Sequence, residues 1–297
     1  MNRSAFFANV LLAFMLYACG TDNSRSNQNS ANDEAGNTLT DSIDVYETDS
    51  SIQSIEITQV EVVTSISDYD TVYPSDMIPN DSVYPYLIIT PGVYHNDEAD
   101  ESWAQKKWFC VFEYDEYEVY SKKSNLVLKN TVDGLLDDDG EKTAWSVAFE
   151  DSTDRCLFAF SGFKMRQRKP LHSLLIKPTN LLPGDTIALE YHGTKYVLYA
   201  TGHRPHNKLN PSFVEVSNYR MWLHSATTDQ LLFSATRFSD AMPEVLFIGD
   251  IDSDNKLDFI INATPHYNAY MPTLYLSSEA HPKELVKCVA QHTALGC

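Results

Sequence analysis

Two alternating runs, residues 186–191 and 194–200, meet at the dipeptide His192-Gly193. Apolar and polar side chains exchange along each run, the period of a strand with one face in a core. A two-residue connection containing glycine accommodates the positive φ angles of a tight hairpin turn. The pair therefore predicts an antiparallel hairpin, and a hairpin needs further strands to cover its apolar face. The chain supplies them. Residues 55–63 alternate, 108–112 and 117–120 are aromatic-rich, and 145–149 and 156–160 follow. Residues 219–224 and 230–234 predict a second hairpin, and 274–276 a strand near the C-terminus. Helical candidates are confined to residues 103–107 and 282–291. The expectation is an all-β domain over residues 54–297, mostly antiparallel: a sandwich, an irregular barrel or a small propeller-like domain.

The segment before it has another character. Arg3 precedes an apolar stretch over residues 5–18, too short to span a bilayer as a helix. It ends in Leu16-Tyr17-Ala18-Cys19, which resembles a bacterial lipobox. The resemblance implies a leader over residues 1–18, cleaved before Cys19, and a lipidated Cys19 at the new N-terminus. Acyl chains contribute about 0.8 kcal/mol per buried methylene, so two or three hold a protein firmly on a membrane. Residues 19–53 are Ser, Asn, Thr and Asp with few large apolar side chains. Such a stretch buries too little surface to offset its ordering entropy, so a disordered linker is expected. At about thirty residues it would reach roughly 30 Å. The expected location is the cell envelope, lipid-anchored, with the outer membrane favoured.

Residues 249–258 read Gly-Asp-Ile-Asp-Ser-Asp-Asn-Lys-Leu-Asp, between apolar runs at 245–248 and 257–261. Asp250, Asp252 and Asp254 offer carboxylates at alternate positions, Lys256 a backbone carbonyl, and Asp258 closes the shell directly or through water. That set suits Ca²⁺. The sixth position needs φ > 0, and Asn255 tolerates it better than any residue but glycine. An EF-hand would need Glu where Ile261 stands, and helical flanks. The stretch instead resembles the calcium loop of FG-GAP/VCBS-type repeats, with Asn255 in place of the usual glycine. Within the loop, Lys256 is the one cation available to offset four carboxylates. A propeller of such repeats needs several copies at a regular period, and the sequence holds one. The C-terminal third, through residues 247–252, His266-Tyr267-Asn268, residues 272–278 and Gly296-Cys297, also resembles a group of uncharacterised bacterial lipoproteins. The resemblance implies a lipid-anchored, calcium-loop β-protein and no particular activity.

With 22 basic against 41 acidic residues, the net charge is -19. That excludes a nucleic-acid partner, which needs a positive footprint. Lys164, Arg166, Arg168 and Lys169 form one basic cluster, expected at the solvated end of a strand. Besides Cys19, four cysteines remain: Cys110, Cys156, Cys288 and Cys297. An even number in an exported chain points to disulfides. Three pairings exist, with Cys288–Cys297 favoured and Cys110–Cys156 joining two predicted strands.

No H-E-x-x-H, G-x-S-x-G or phosphate-cradling loop is present. His203 with His206, His266 and His95 are the histidines to inspect for chemistry. Two functional classes follow: a non-catalytic module recognising an envelope protein or glycan, favoured here, and a calcium-stabilised envelope hydrolase acting on glycan or peptide.

Overall fold

The computed structural model describes residues 56–59 and 84–295, apart from 116–117, 151–153, 176, 205–214, 239–240 and 265–267. Cys19, His206, His266 and Cys297 therefore lie outside the described residues, as do the expected leader and the whole of the expected linker. All described residues belong to one unit, Asp49–Cys297.

Strand is the dominant regular structure of the described chain, with a single 3-10 turn beside it, and every pairing is antiparallel. The predicted hairpin forms as Asp185–Tyr191 and Thr194–His203. His192 and Gly193 take φ of 46° and 75°, as the turn requires. Val216–Ser225 and Thr228–Phe238 make the second hairpin. With Glu56–Gln59 at its edge, these strands form one five-stranded sheet, here the hairpin sheet.

A second sheet lies on it, built on the strands that flank the aspartate loop. Its order is Ser173–Leu175, Glu244–Gly249, Asp258–Asn262, Pro272–Leu276, Lys287–Gln291, with Thr179–Asn180 beside Glu244–Gly249. Val245, Ile248, Phe259, Ile261 and Tyr275 pack against Ile187, Leu198, Met221 and Phe233 of the hairpin sheet. Leu246, Phe247, Ile260, Leu274 and Val289 point the other way, onto a third sheet. Covered on both faces, this loop sheet admits few polar residues, which is why its strands read as continuous apolar runs.

The third sheet runs Leu87–Ile89, Arg155–Ser161, Trp108–Asp115, Glu118–Ser124, Arg168–Leu171. Its far face, with Trp108, Cys110 and Phe112, packs on a small fourth sheet of Gly92–Tyr94, Ala144–Phe149 and Leu126–Thr131. The result is a stack of open sheets with three apolar layers between them. None of the sheets closes into a barrel.

The helical candidates resolve differently. Glu101–Gln105 is a single 3-10 turn capped by Asp100, with Trp103 buried. Within residues 282–291 the structure has a strand, Lys287–Gln291, and no helix. Cys288, Val289 and Ala290 are all buried there, a run with no polar face for a surface helix to present.

Candidate metal centre

The aspartate loop connects Glu244–Gly249 to Asp258–Asn262, whose register closes with Gly249 opposite Asp258. Two of its side chains act as anchors. Ile251 is buried in the layer towards the third sheet, and Leu257 in the layer towards the hairpin sheet. The loop is thus pinned into two apolar layers, one on each side of its own sheet. Asn255 has φ 65°, as its place in the loop demands, and Ser253 has φ 75°.

Asp250, Asp252 and Asp254 each place a carboxylate oxygen within 4.8 Å of the other two. Asp250 is fully buried. Its Oδ1 accepts the Ser253 and Asp254 backbone N–H groups at 2.7 and 3.1 Å, and Oδ2 accepts that of Asn255 at 3.3 Å. Asp254 Oδ1 accepts the Lys256 N–H at 2.8 Å, and Lys256 itself is exposed. Asp252 Oδ2 bonds the Ser278 hydroxyl, whereas its Oδ1 is buried with no partner among the described residues.

Asp258 has a different part. It is fully buried and both of its oxygens are occupied. Oδ2 accepts the Ile251 and Asp252 N–H groups at 2.7 and 3.4 Å, and Oδ1 the Ser277 N–H at 2.9 Å. The carboxylate ties the two ends of the loop to Ser277, just past Pro272–Leu276, and stands outside the group formed by the other three. The Ser277 hydroxyl lies 2.9 Å from Asp254 Oδ2 and 3.0 Å from Asp258 Oδ1, with one proton to share between them. Burial pushes the Asp258 carboxyl well above the usual range, and the Asp252 charge adds to it. Asp252 is raised as well, by burial and then by Asp254 and Asp250. The carboxylates of the loop repel one another.

One offsetting charge comes from outside the loop. Arg168, expected at a solvated strand end, is 24% exposed and sets Nη1 3.4 Å from Asp250 Oδ2. Lys164 and Arg166 are exposed as expected, and Lys169 places Nζ 4.4 Å above the Tyr114 ring. The short strand Ser173–Leu175 brings Arg168 close, because it pairs with Glu244–Gly249 and puts the His172 carbonyl on the Asp250 N–H at 3.0 Å. Gly249 makes this approach possible. A Cβ there would stand 2.4 Å from the His172 oxygen. Ser277, Ser278 and Arg168 are the site residues that spacing within the loop does not reveal, since they arrive from other connections of the stack.

The remaining candidates sit elsewhere. His203 is exposed at the end of its strand. His95 bonds Asp133 through Nδ1. Cys110, Cys156 and Cys288 are free thiols. Cys110 and Cys156 touch across neighbouring strands of the third sheet, and Cys288 is buried in the layer beneath the hairpin sheet. The favoured partner of Cys288, Cys297, is not among the described residues. No family model, curated protein or solved structure matches the chain.

The donor set fits a hard cation: three converging carboxylates, one with a buried oxygen that has no partner among the described residues, on a turn with the required left-handed residue. Such an ion would supply the positive charge that Arg168 supplies to Asp250 alone.

Proposed function

We propose that Asp250, Asp252 and Asp254, with the Lys256 carbonyl and with Asp258 directly or through water, hold one structural Ca²⁺. On this reading the chain is a lipid-anchored, non-catalytic binding or structural module of the cell envelope. The observation that carries it is Asp252 Oδ1, buried without a partner among the described residues, close to two other carboxylates in a loop pinned into two apolar layers. A bound ion offsets the repulsion among these carboxylates and holds Glu244–Gly249 and Asp258–Asn262 in register at the centre of the stack. Its role is mechanical, and the sheets around it present the recognition surface. The many protein oxygens offered by one irregular loop favour Ca²⁺ over Mg²⁺, which demands shorter octahedral bonds and gives up its waters reluctantly. Lipidation at Cys19 and the linker that follows place such a module off the membrane surface.

Thermal unfolding of the full chain in chelator and in millimolar calcium tests the site. Because the ion binds the folded state preferentially, a hundredfold excess over Kd adds about 2.7 kcal/mol. For a domain of this size that raises Tm by roughly 5–10 °C. Equal midpoints in the two buffers, with no calcium heat in calorimetry, would remove the ion from the reading.

A further inference from the structure

The outer face of the hairpin sheet carries an aromatic pair that no core uses. Tyr199 and Trp222 stand opposite each other on neighbouring strands, on the face away from Leu198, Ala200, Met221 and Leu223. Their ring planes differ by 12° and their centroids are 6.4 Å apart. That separation is near the far end for an aromatic pair, so the rings are offset and cover little of each other.

Each ring leans across the sheet. The Tyr199 hydroxyl reaches over the intervening strand to Asp229 Oδ1 at 3.2 Å, and Trp222 Nε1 donates to Thr201 Oγ1 at 3.2 Å in the opposite direction. Both side chains are half-buried, and both have their polar tips bonded. On this face Val197, Thr201, Thr186 and the exposed Ala188 are small, while half-buried Leu231 stands opposite Trp222 and Arg220 opposite Thr201. Polar groups stand beside them. His224 Nδ1 and the Tyr199 hydroxyl both bond Asp229 Oδ1, so none of the described bonds uses Oδ2. The His224 and Asp229 side chains are 38% and 55% exposed.

We propose that this face binds a neutral glycan, with adjacent sugar rings laid over Tyr199 and Trp222 and a sugar hydroxyl bonded to Asp229. The chemistry is specific. A pyranose ring offers an apolar C–H face to an aromatic ring and hydroxyls along its edge, and the pair supplies parallel rings with a carboxylate at their border. A chain of net charge -19 repels polyanionic saccharides, which selects neutral ones. A protein partner would want a larger apolar area than two rings and Leu231 set among small and polar residues. The proposal rests on the reading of the chain as a binding module.

The test is affinity electrophoresis of the full chain in detergent, through gels holding hydroxyethylcellulose, xyloglucan, laminarin, dextran or soluble chitosaccharide, with alginate as the polyanionic control. Retardation by at least one neutral glycan is expected. Trp222→Leu or Tyr199→Leu, which keep apolar bulk and lose the ring, should weaken it about tenfold, or roughly 1.4 kcal/mol. Trp222→Phe should retain most of it. No retardation by any neutral glycan, retardation by alginate alone, or full retardation of both leucine variants would overturn the proposal. A cross-strand aromatic pair that serves only the sheet lowers Tm in the leucine variants without a glycan effect. Asp252→Ala, remote from this face in the sheet order, keeps the two readings apart. Failure of glycan binding leaves calcium-dependent unfolding intact, and failure of calcium binding leaves retardation by glycan to be seen.

Discussion

Arg168 Nη1 stands 3.4 Å from Oδ2 of the fully buried Asp250, across 82 residues of sequence. This pair joins the third sheet to the aspartate loop and gives the loop a counter-charge of its own. Arg168→Gln should therefore have opposite effects in the two ionic states. In chelator it leaves a buried carboxylate with backbone N–H groups and the neighbouring Tyr191 hydroxyl, at a cost of about 1–2 kcal/mol, because partial exposure of the arginine discounts the full penalty of a broken buried pair. In calcium the ion takes over the counter-charge and most of that cost disappears. Removing a nearby positive charge should also tighten calcium binding severalfold. Unfolding in both buffers and calcium calorimetry read the two effects.

Asp252 offers the oxygen that has no partner among the described residues. Asp252→Ala should abolish the calcium dependence of Tm and leave the calcium-free midpoint unchanged or raised, since it removes one charge from a repelling group. A variant that keeps the full wild-type response to calcium would take Asp252 out of the ligand set.

Gly249 has no room for a side chain. Gly249→Ala should cost about 2–4 kcal/mol in any buffer, as the His172 segment and the Phe247 ring give way. Because that segment leads to Arg168, calcium affinity should change as well. Denaturant unfolding with a paired calcium titration measures both.

His95 and Asp133 supply a pH dependence of known sign. The bond to Asp133 holds the His95 ring above its ordinary value, and the same bond holds Asp133 below the usual carboxylate range. The contribution of the charged pair is complete below the free histidine value of about 6.5, so long as Asp133 stays ionised. It declines as pH rises through the raised His95 value. At the acid end it is lost as pH falls through the lowered Asp133 value. Asp133→Asn should bring the His95 titration, followed by NMR, back towards the ordinary value and flatten the loss of stability above neutrality. An unchanged His95 titration in that variant would contradict the pairing.

For the proposed anchor, Cys19→Ser should leave the protein soluble in the envelope or stalled with its leader attached. Partition of that variant into detergent with the leader removed would place the anchor at another residue. Phase separation with mass spectrometry of the N-terminus decides between these outcomes.

Short-range pattern determined the strand character of this chain, the turn at His192-Gly193 and the spacing of Asp250, Asp252 and Asp254. Each depends on φ, ψ and side-chain direction over a few residues, and these the local sequence dictates. Asn255 belongs with them, because only the backbone of its own loop sets its φ of 65°. The order of the sheets, the arrival of Ser277 and Ser278 on the loop, and the approach of Arg168 to Asp250 were decided by tertiary structure. So was the division of labour that makes Asp258 a brace while three neighbouring carboxylates converge. Apolar runs such as residues 245–248 say that both faces of a strand are buried and leave open which sheet buries each. Sheet faces are chemically similar and pack without direction, so the choice among stackings rests on register, loop lengths and the fit of many side chains at once. Contacts that span 82 residues exist only after that choice has been made.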